Sequence, residues 1–496
     1  MRRTSHILLG LLALLLILQA GFSLQWPIAH DEAPLFYEAF LMRTEARIPY
    51  RDIFDFQMPG SFVAYYALGR LGGFSDLRIR VIDLLILSIL LLVTYFSIQR
   101  FGKVAAWSAA ILFGLQYLQG GPSMSLQREY LLLAFIAPSV LIAMRDDLTS
   151  RHRFMLGFLF GLSTIIKPHA AIGLIPILLF DITDIVQQRK LTVLKAAAAS
   201  LLPASIGFSV PIVAVITWLA LNNALMPFIE IAVNYWPLYS QINGQLVITP
   251  KAERIPFLLE QVWRLGGHGI WLIPAAIGLY LNQNMRTYRL ASLALSYAIY
   301  PALSGQFFPY HYIPFVYFII LLASLAVSTI LLPPSPARQL SSIILLVVIL
   351  INVRPSSAFL RQIEGRPVNT STYRANEIAR FLENNLKDGD KVQPLDWTGG
   401  TLLAMLETRA HIATSYVFDF YFYHHLSMPY IQDLRSDFMH ELQTAAPRFV
   451  IEVTSMDKPW VGGEDTSRDF PELRNFLNEY YSITIQQDDY LIYERR

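Results

Sequence analysis

The chain alternates between long apolar runs and short polar interruptions. Residues 7–25 (ILLGLLALLLILQAGFSLQ) follow Arg2 and Arg3, and a run of this length spans the roughly 30 Å hydrocarbon core of a bilayer. A cleaved signal peptide is the rival reading; the lack of a small-x-small cleavage site favours an uncleaved first helix. Further apolar segments lie near 79–98, 104–119, 129–144, 154–166, 169–186, 196–221, 268–282, 290–304, 312–332 and 340–353. Together they predict a polytopic α-helical membrane protein with roughly eleven transmembrane helices. The polar interruptions fall into two sets. One is short and basic: Arg100 and Lys103; Arg145, Arg151 and Arg153; Arg189, Lys190 and Lys195; Arg286 and Arg289; Arg338. By the positive-inside rule this set is cytoplasmic. The other set holds the long segments 26–78 and 222–267 and the short ones around 120–128, 167–169 and 305–311, which face out. An odd number of spans places the N-terminus in the cytoplasm and the chain from 354 onward outside it.

That tail changes pattern. Residues 374–387 (RANEIARFLENNLK) have helical periodicity. A DGD turn leads into a strand-like KVQPLDW. A helix around 432–445 precedes the buried-strand pattern RFVIEV, residues 469–480 read as helix, and SITIQ and YLIYE read as a strand pair. The order predicts a small soluble α/β domain. The expected division is therefore a transmembrane domain over 1–353, with first outer loop 26–78, and an extracytoplasmic domain over 354–496. The LPPSP tract at 332–336 reads as an inner loop.

Composition agrees. Of 496 residues 54% are hydrophobic and only 15% charged, against about 25% charged in soluble domains. A lipid-facing surface requires that deficit, because a charge at the bilayer centre costs at least about 3 kcal/mol. The net charge of +2, with no basic arm, points away from nucleic acid. The absence of cysteine excludes disulfides, thiolate catalysis and cysteine-ligated zinc.

Ionisable residues outside the basic loops concentrate in the first outer loop, WPIAHDEAPLFYEAFLMRTEARIPYRDIFDFQMPG. His30, Asp31 and Glu32 lie a few residues past the first helix. Residues 33–46 set Leu35, Phe36, Phe40 and Leu41 against Glu38, Arg43 and Glu45, which predicts an amphipathic helix along the membrane interface. A turn follows at Pro49–Asp52. Asp83 falls inside the second span and needs a partner there, for which Arg80 is a candidate. The paired histidines at 424–425 read as surface or packing residues.

With these features the sequence resembles the GT-C class of lipid-linked-sugar glycosyltransferases, in the branch of the protein O-mannosyltransferases and the lipid A aminoarabinose transferases. The resemblance rests on Asp31-Glu32, PYRDIFDFQMPG at 49–60, RIRVIDLL at 78–85, QREY at 127–130, KPH at 167–169, PYHYIPF at 309–315 and the closing α/β domain. It covers the whole chain as topology, and as motif mainly residues 30–80.

The resemblance implies transfer of a sugar, with inversion, from a polyprenyl-phosphate carrier to an acceptor on the outer face. It maps the acid that activates the acceptor hydroxyl onto Asp31, with Glu32 beside it. A hydroxyl is a weak nucleophile until a base takes its proton in the transition state. The anionic leaving group calls for cations, for which the candidates are Arg51, Arg128, Lys167, His169 and His311. Asp52, Asp55, Gln57, Glu129 and Tyr310 are further candidates. Each has a plainer reading: Asp52 and Asp55 as turn formers, Glu129 as an ion-pair partner of Arg128, Lys167 reaching toward headgroups, and Tyr310 as part of an aromatic belt. Related enzymes commonly carry a lysine before the proline turn that follows the YRD-like segment. Here that stretch is FDFQMPG, with Gln57.

No cofactor is expected. Asp31, Glu32, Asp52 and Asp55 could gather a divalent cation, but the resembling branch generally works without one, and no histidine cluster has ligand spacing. The expected partners are the polyprenyl-phosphate sugar, membrane lipid, and a glycan, glycolipid or protein acceptor, at the plasma (inner) membrane. Two other readings compete. A lipid or glycan flippase places its polar sites near the midplane in related halves. An assembly or receptor protein dispenses with Asp31.

Overall fold

The computed structural model describes residues 2–243, 249–327, 347–366, 370–455 and 465–496. The tract at 332–336, Arg338 and the first part of the 340–353 segment lie outside the described residues. The chain forms two compact units. One comprises residues 1–24, 81–216 and 249–363; the other comprises residues 25–80, 217–248 and 364–496.

The first unit is helical. Among the described residues four helices are long and apolar enough to cross a membrane: Asp76–Phe101 (which begins in the second unit), Pro168–Gln188, Val193–Leu221 and Pro309–Val327. Ile7–Ser23 and Gly269–Leu281 are shorter apolar helices. Most present apolar side chains outward, as Leu85, Ile89, Leu92, Leu202, Ile206 and Val213 show. Water would penalise such a surface and lipid does not. Pro309–Val327 is the exception: it is largely covered by protein and forms the unit's core. Two helices, Ser150–Ile166 and Val193–Leu221, meet backbone to backbone. A Cβ at Gly157 would stand 1.8 Å from the Ala204 carbonyl oxygen, and one at Gly207 2.0 Å from that of Phe154. Only glycine permits this approach, which is how membrane helices gain packing without a hydrophobic driving force.

The second unit is built on a five-stranded sheet: β1 Lys391–Leu395, β2 His411–Ile412, β3 Phe449–Val453, β4 Tyr481–Gln486 and β5 Tyr490–Arg495, in the order β2-β1-β3-β5-β4. β1 runs parallel to β2 and β3; β5 is antiparallel to β3 and β4. The helices Thr370–Asn385, Pro429–Ala445 and Pro471–Tyr480 fall where periodicity predicts them. β2, the helix Thr401–Thr408 and the helix Pro59–Gly72 were not foreseen. Nor were the helices Leu225–Asn243 and Arg254–Arg264, in what reads as a long loop.

One expectation is corrected here. The helix Glu32–Thr44 does not lie open along a surface: every residue from Glu32 to Leu41 is buried. The helices Pro59–Gly72 and Thr401–Thr408 cover it, and the Tyr37 hydroxyl donates to the Ala410 carbonyl at 2.8 Å. Glu38 is thus accommodated inside protein, while Arg43 at the helix end stays exposed. The loop that follows is tied down in the same way, with Arg47 donating to the Thr414 carbonyl at 2.9 Å and Phe54 bridging to Tyr416.

Candidate functional site

In the first unit, three helix ends bring the charges together. Arg128 and Glu129 open the helix Arg128–Ala143. Lys167 ends the helix Ser150–Ile166 in extended conformation, because Pro168 stops it from continuing. His311 sits in the turn Pro309–Tyr312 that opens the next helix. Glu129 is fully buried, and its Oε1 takes three approaches: Lys167 Nζ at 3.3 Å, His311 Nε2 at 3.4 Å, and the Tyr300 hydroxyl donating at 3.4 Å. Glu129 Oε2 has no hydrogen-bond partner among the described residues. His311 Nδ1 is 2.8 Å from the Gln306 carbonyl oxygen. A carbonyl only accepts, so Nδ1 carries the proton and Nε2 is turned toward Glu129.

Arg128 is buried and acts electrostatically on both Glu129 and His311. His169 stands half-buried with its ring edge-on to Tyr300, centroids 6.0 Å apart, and Tyr310 meets His311 edge-on at 4.7 Å. One carboxylate thus faces at least two fixed cations, Arg128 and Lys167. Guanidinium and ammonium groups suit phosphate.

The second unit holds the other candidates. Asp31 stands at the N-terminus of the helix Glu32–Thr44, its side chain 13% exposed, with His30 Nδ1 2.9 Å from its Oδ1. Glu32, next to it, is buried against Arg80. Arg80 Nη1 donates to Glu32 Oε1 at 3.0 Å and Nη2 donates to Oε2, and Arg80 also donates to the carbonyls of Trp26 and Pro27. The Ala29 amide also donates to Glu32, at 3.3 Å. Asp83, in the first unit, accepts from the Tyr117 and Ser125 hydroxyls at 2.7 and 2.6 Å.

Arg51 is exposed, donating to Asp52 and to the Asn222 carbonyl. Asp52 also accepts from the Ile48 amide at 2.8 Å, and Arg51 holds its carboxyl below the usual range. Asp55 is buried and accepts the Phe56 and Gln57 amides, closing a turn. The Gln57 carbonyl takes the Tyr50 hydroxyl at 2.6 Å. The histidine pair is a packing feature: His424 is buried between the Phe420 carbonyl and the Tyr235 hydroxyl. Among the described residues no group of three or more His, Asp or Glu could hold a metal ion.

The structure therefore joins Glu129, Lys167 and His311 directly, with Arg128, His169 and Tyr310 around them. Asp31, Glu32, Arg51, Asp52, Asp55 and Gln57 belong to the other unit. Sequence reasoning missed Tyr300, whose only signal is a hydroxyl inside an apolar helix. It also missed a backbone feature. His30, Tyr50 and Leu126 are non-glycine residues in the left-handed region, at φ of 51°, 70° and 46°. Each lies one or two positions before a candidate: Asp31, Arg51 and Arg128. Such conformations cost on the order of 1–3 kcal/mol and cluster at functional sites.

No protein-family model matches the chain, and no curated protein matches it. Solved structures do. ArnT from Cupriavidus metallidurans bound to undecaprenyl phosphate is similar with a TM-score of 0.61 at 11% identity, over 98% of this chain and 97% of that one. The same protein in the apo state gives 0.59 at 10% identity, over 99% and 98%. The archaeal oligosaccharyltransferase AglB from Archaeoglobus fulgidus, in complex with an inhibitory peptide and a dolichol-phosphate, gives 0.48 at 11% identity, over 89% and 69%. The fold is that of the GT-C class.

Proposed function

We propose that this chain is a membrane glycosyltransferase that moves a sugar from a polyprenyl-phosphate donor to a glycolipid, cell-envelope glycan or protein acceptor. The observation that carries the reading is the cluster of the first unit, where Arg128, Lys167 and His311 stand around the carboxylate of Glu129. It supports binding of an anionic group in a chain whose fold is also found in a protein solved with undecaprenyl phosphate.

In this reading the phosphate head of the carrier meets Arg128 and Lys167, with His169, His311 and Tyr310 at its edge. Charge grows on that phosphate as the glycosidic bond breaks, so cations fixed in advance stabilise the transition state more than the ground state. Asp31 takes the proton of the acceptor hydroxyl as it attacks the anomeric carbon, which inverts the configuration. Glu32, held by Arg80, fixes the backbone from which Asp31 projects. The chain spans the plasma membrane with its N-terminus inside and its α/β unit outside, so acceptors are drawn from the outer face.

The test is transfer from a panel of radiolabelled polyprenyl-phosphate sugars by purified protein in lipid, with total envelope extract as acceptor. Labelled product is expected from one donor, and Asp31→Asn is expected to lower the rate by roughly 10²–10⁴. Equal rates in wild type and Asp31→Asn remove Asp31 as the base. Donor binding without any product points to a lipid flippase instead.

A further inference from the structure

Asp83 is a buried carboxylate that this mechanism leaves unused. It is 2% exposed and lies on the helix Asp76–Ile98. It accepts the Tyr117 hydroxyl at 2.7 Å and the Ser125 hydroxyl at 2.6 Å. The Tyr117 oxygen in turn accepts the Leu126 amide at 3.0 Å, and its ring stacks on Tyr130 with centroids 3.9 Å apart and planes inclined by 17°. The chain between these anchors is the strained one. Leu126 has φ of 46°, then Gln127 is extended, and the helix begins at Arg128.

We infer that Asp83, through Tyr117 and Ser125, is a positioning residue that holds the turn 125–127 so that Arg128 and Glu129 enter the charged cluster at the head of their helix. The role rests on the reading of that cluster as a phosphate site, and the geometry explains how it works. A left-handed leucine is unfavourable on its own. It is retained here because its amide, which cannot bond along a helix, finds the Tyr117 oxygen. That oxygen can accept because its own hydrogen is committed to Asp83. Asparagine at position 83 weakens the chain of donors, since it keeps one acceptor oxygen and turns the other into a donor nitrogen, so that one of the two hydroxyls loses its acceptor. Tyr130, one residue past Glu129, is pinned by its stack on the same Tyr117 ring. The first turn of the helix is thereby fixed from both sides.

Two readouts on full-length protein in lipid test this. The first is amide hydrogen exchange over residues 120–131. Removing one hydrogen bond worth about 1 kcal/mol speeds local opening about fivefold, so Tyr117→Phe is expected to raise exchange at Leu126 by about that factor. Helices outside this region should keep wild-type rates. Unchanged exchange overturns the proposal. The second is binding of undecaprenyl phosphate, expected to weaken about tenfold in Asp83→Asn and about fivefold in Tyr117→Phe. In the double variant with Arg128→Lys, Tyr117→Phe is expected to add little, because it acts through Arg128. Additive losses overturn the positioning role, as a merely structural residue would give them. Should Asp83→Asn fail to fold, Ser125→Ala removes one of the two contacts and is expected to give a smaller loss of the same kind. A wild-type protein that does not bind undecaprenyl phosphate rejects the glycosyltransferase reading itself, while the exchange result still decides whether Asp83 holds the turn.

Discussion

Glu32 and Glu129 are both fully buried carboxylates, one in each unit, and their surroundings differ. Glu32 meets Arg80 in a two-pronged pair, and the same guanidinium also donates to backbone carbonyls. Both carboxylate oxygens are taken up there. Arg153 and Asp181, at the other end of the first unit's helices, form a similarly closed pair at 2.7 and 2.9 Å. Glu129 is different: Lys167, His311 and the Tyr300 hydroxyl all approach one oxygen, and its second oxygen is left without a hydrogen bond among the described residues. A closed pair does structural work. A carboxylate oxygen shared by several groups, beside a buried arginine, stands among donors that suit an anionic ligand.

The largest effect is expected where a closed pair is opened. Arg80→Ala leaves Glu32 buried without its partner, and such a loss typically costs about 3–5 kcal/mol. The folded yield and the thermal unfolding midpoint in lipid should both fall sharply. A variant as stable as wild type would show that the pair is dispensable. An intermediate effect is expected in the open cluster. Lys167→Gln removes a charge without stranding a carboxylate, because Arg128 and His311 still face Glu129. It should weaken binding of a polyprenyl-phosphate donor by roughly 10–100-fold, the loss of one charge-assisted contact of about 1.5–3 kcal/mol. The unfolding midpoint should shift little. The reverse outcome, a large stability loss with unchanged donor affinity, would make this cluster one more structural pair.

The smallest effect belongs to the exposed pair Arg51–Asp52. The bond from Arg51 holds the Asp52 carboxyl below its ordinary value of 3.8, so the folded state binds this proton less readily than the unfolded chain. Its contribution is present in full above that value and is lost as pH falls through the lowered one. Surface pairs of this kind contribute little. Arg51→Ala should therefore reduce stability slightly at neutral pH and less in strong acid, where the bond to the Asn222 carbonyl is still lost but the pair no longer counts. A loss of equal size in strong acid would assign the effect to that bond and not to the pair.

The contrast between the two carboxylates was only partly legible in the sequence. Apolar periodicity and the basic loops placed Arg128, Lys167 and His311 at helix ends on one side, because hydrophobicity and charge act locally along the chain. Most helices and strands of the tail were legible for the same reason, down to the strand pair β4 and β5. What periodicity cannot carry is which polar residue meets which. Glu32 and Arg80 are far apart in the chain, and nothing in either segment names the other. The helix Glu32–Thr44 misled because its pattern looks half-exposed, whereas the helices Pro59–Gly72 and Thr401–Thr408, both unforeseen, pack against it and Glu32 to Leu41 are buried. The Asp83 network was invisible for a third reason: its key link is a left-handed leucine, a conformation that no leucine advertises.

The central claim, that the open cluster holds a carrier phosphate, is tested most directly by one binding measurement. Wild type and Lys167→Gln, purified in lipid, are titrated with undecaprenyl phosphate and with the uncharged alcohol undecaprenol. Wild type is expected to bind the phosphate at least tenfold more tightly than the alcohol, and Lys167→Gln to remove most of this preference. Equal binding of alcohol and phosphate, or a preference that survives in the variant, would contradict that claim.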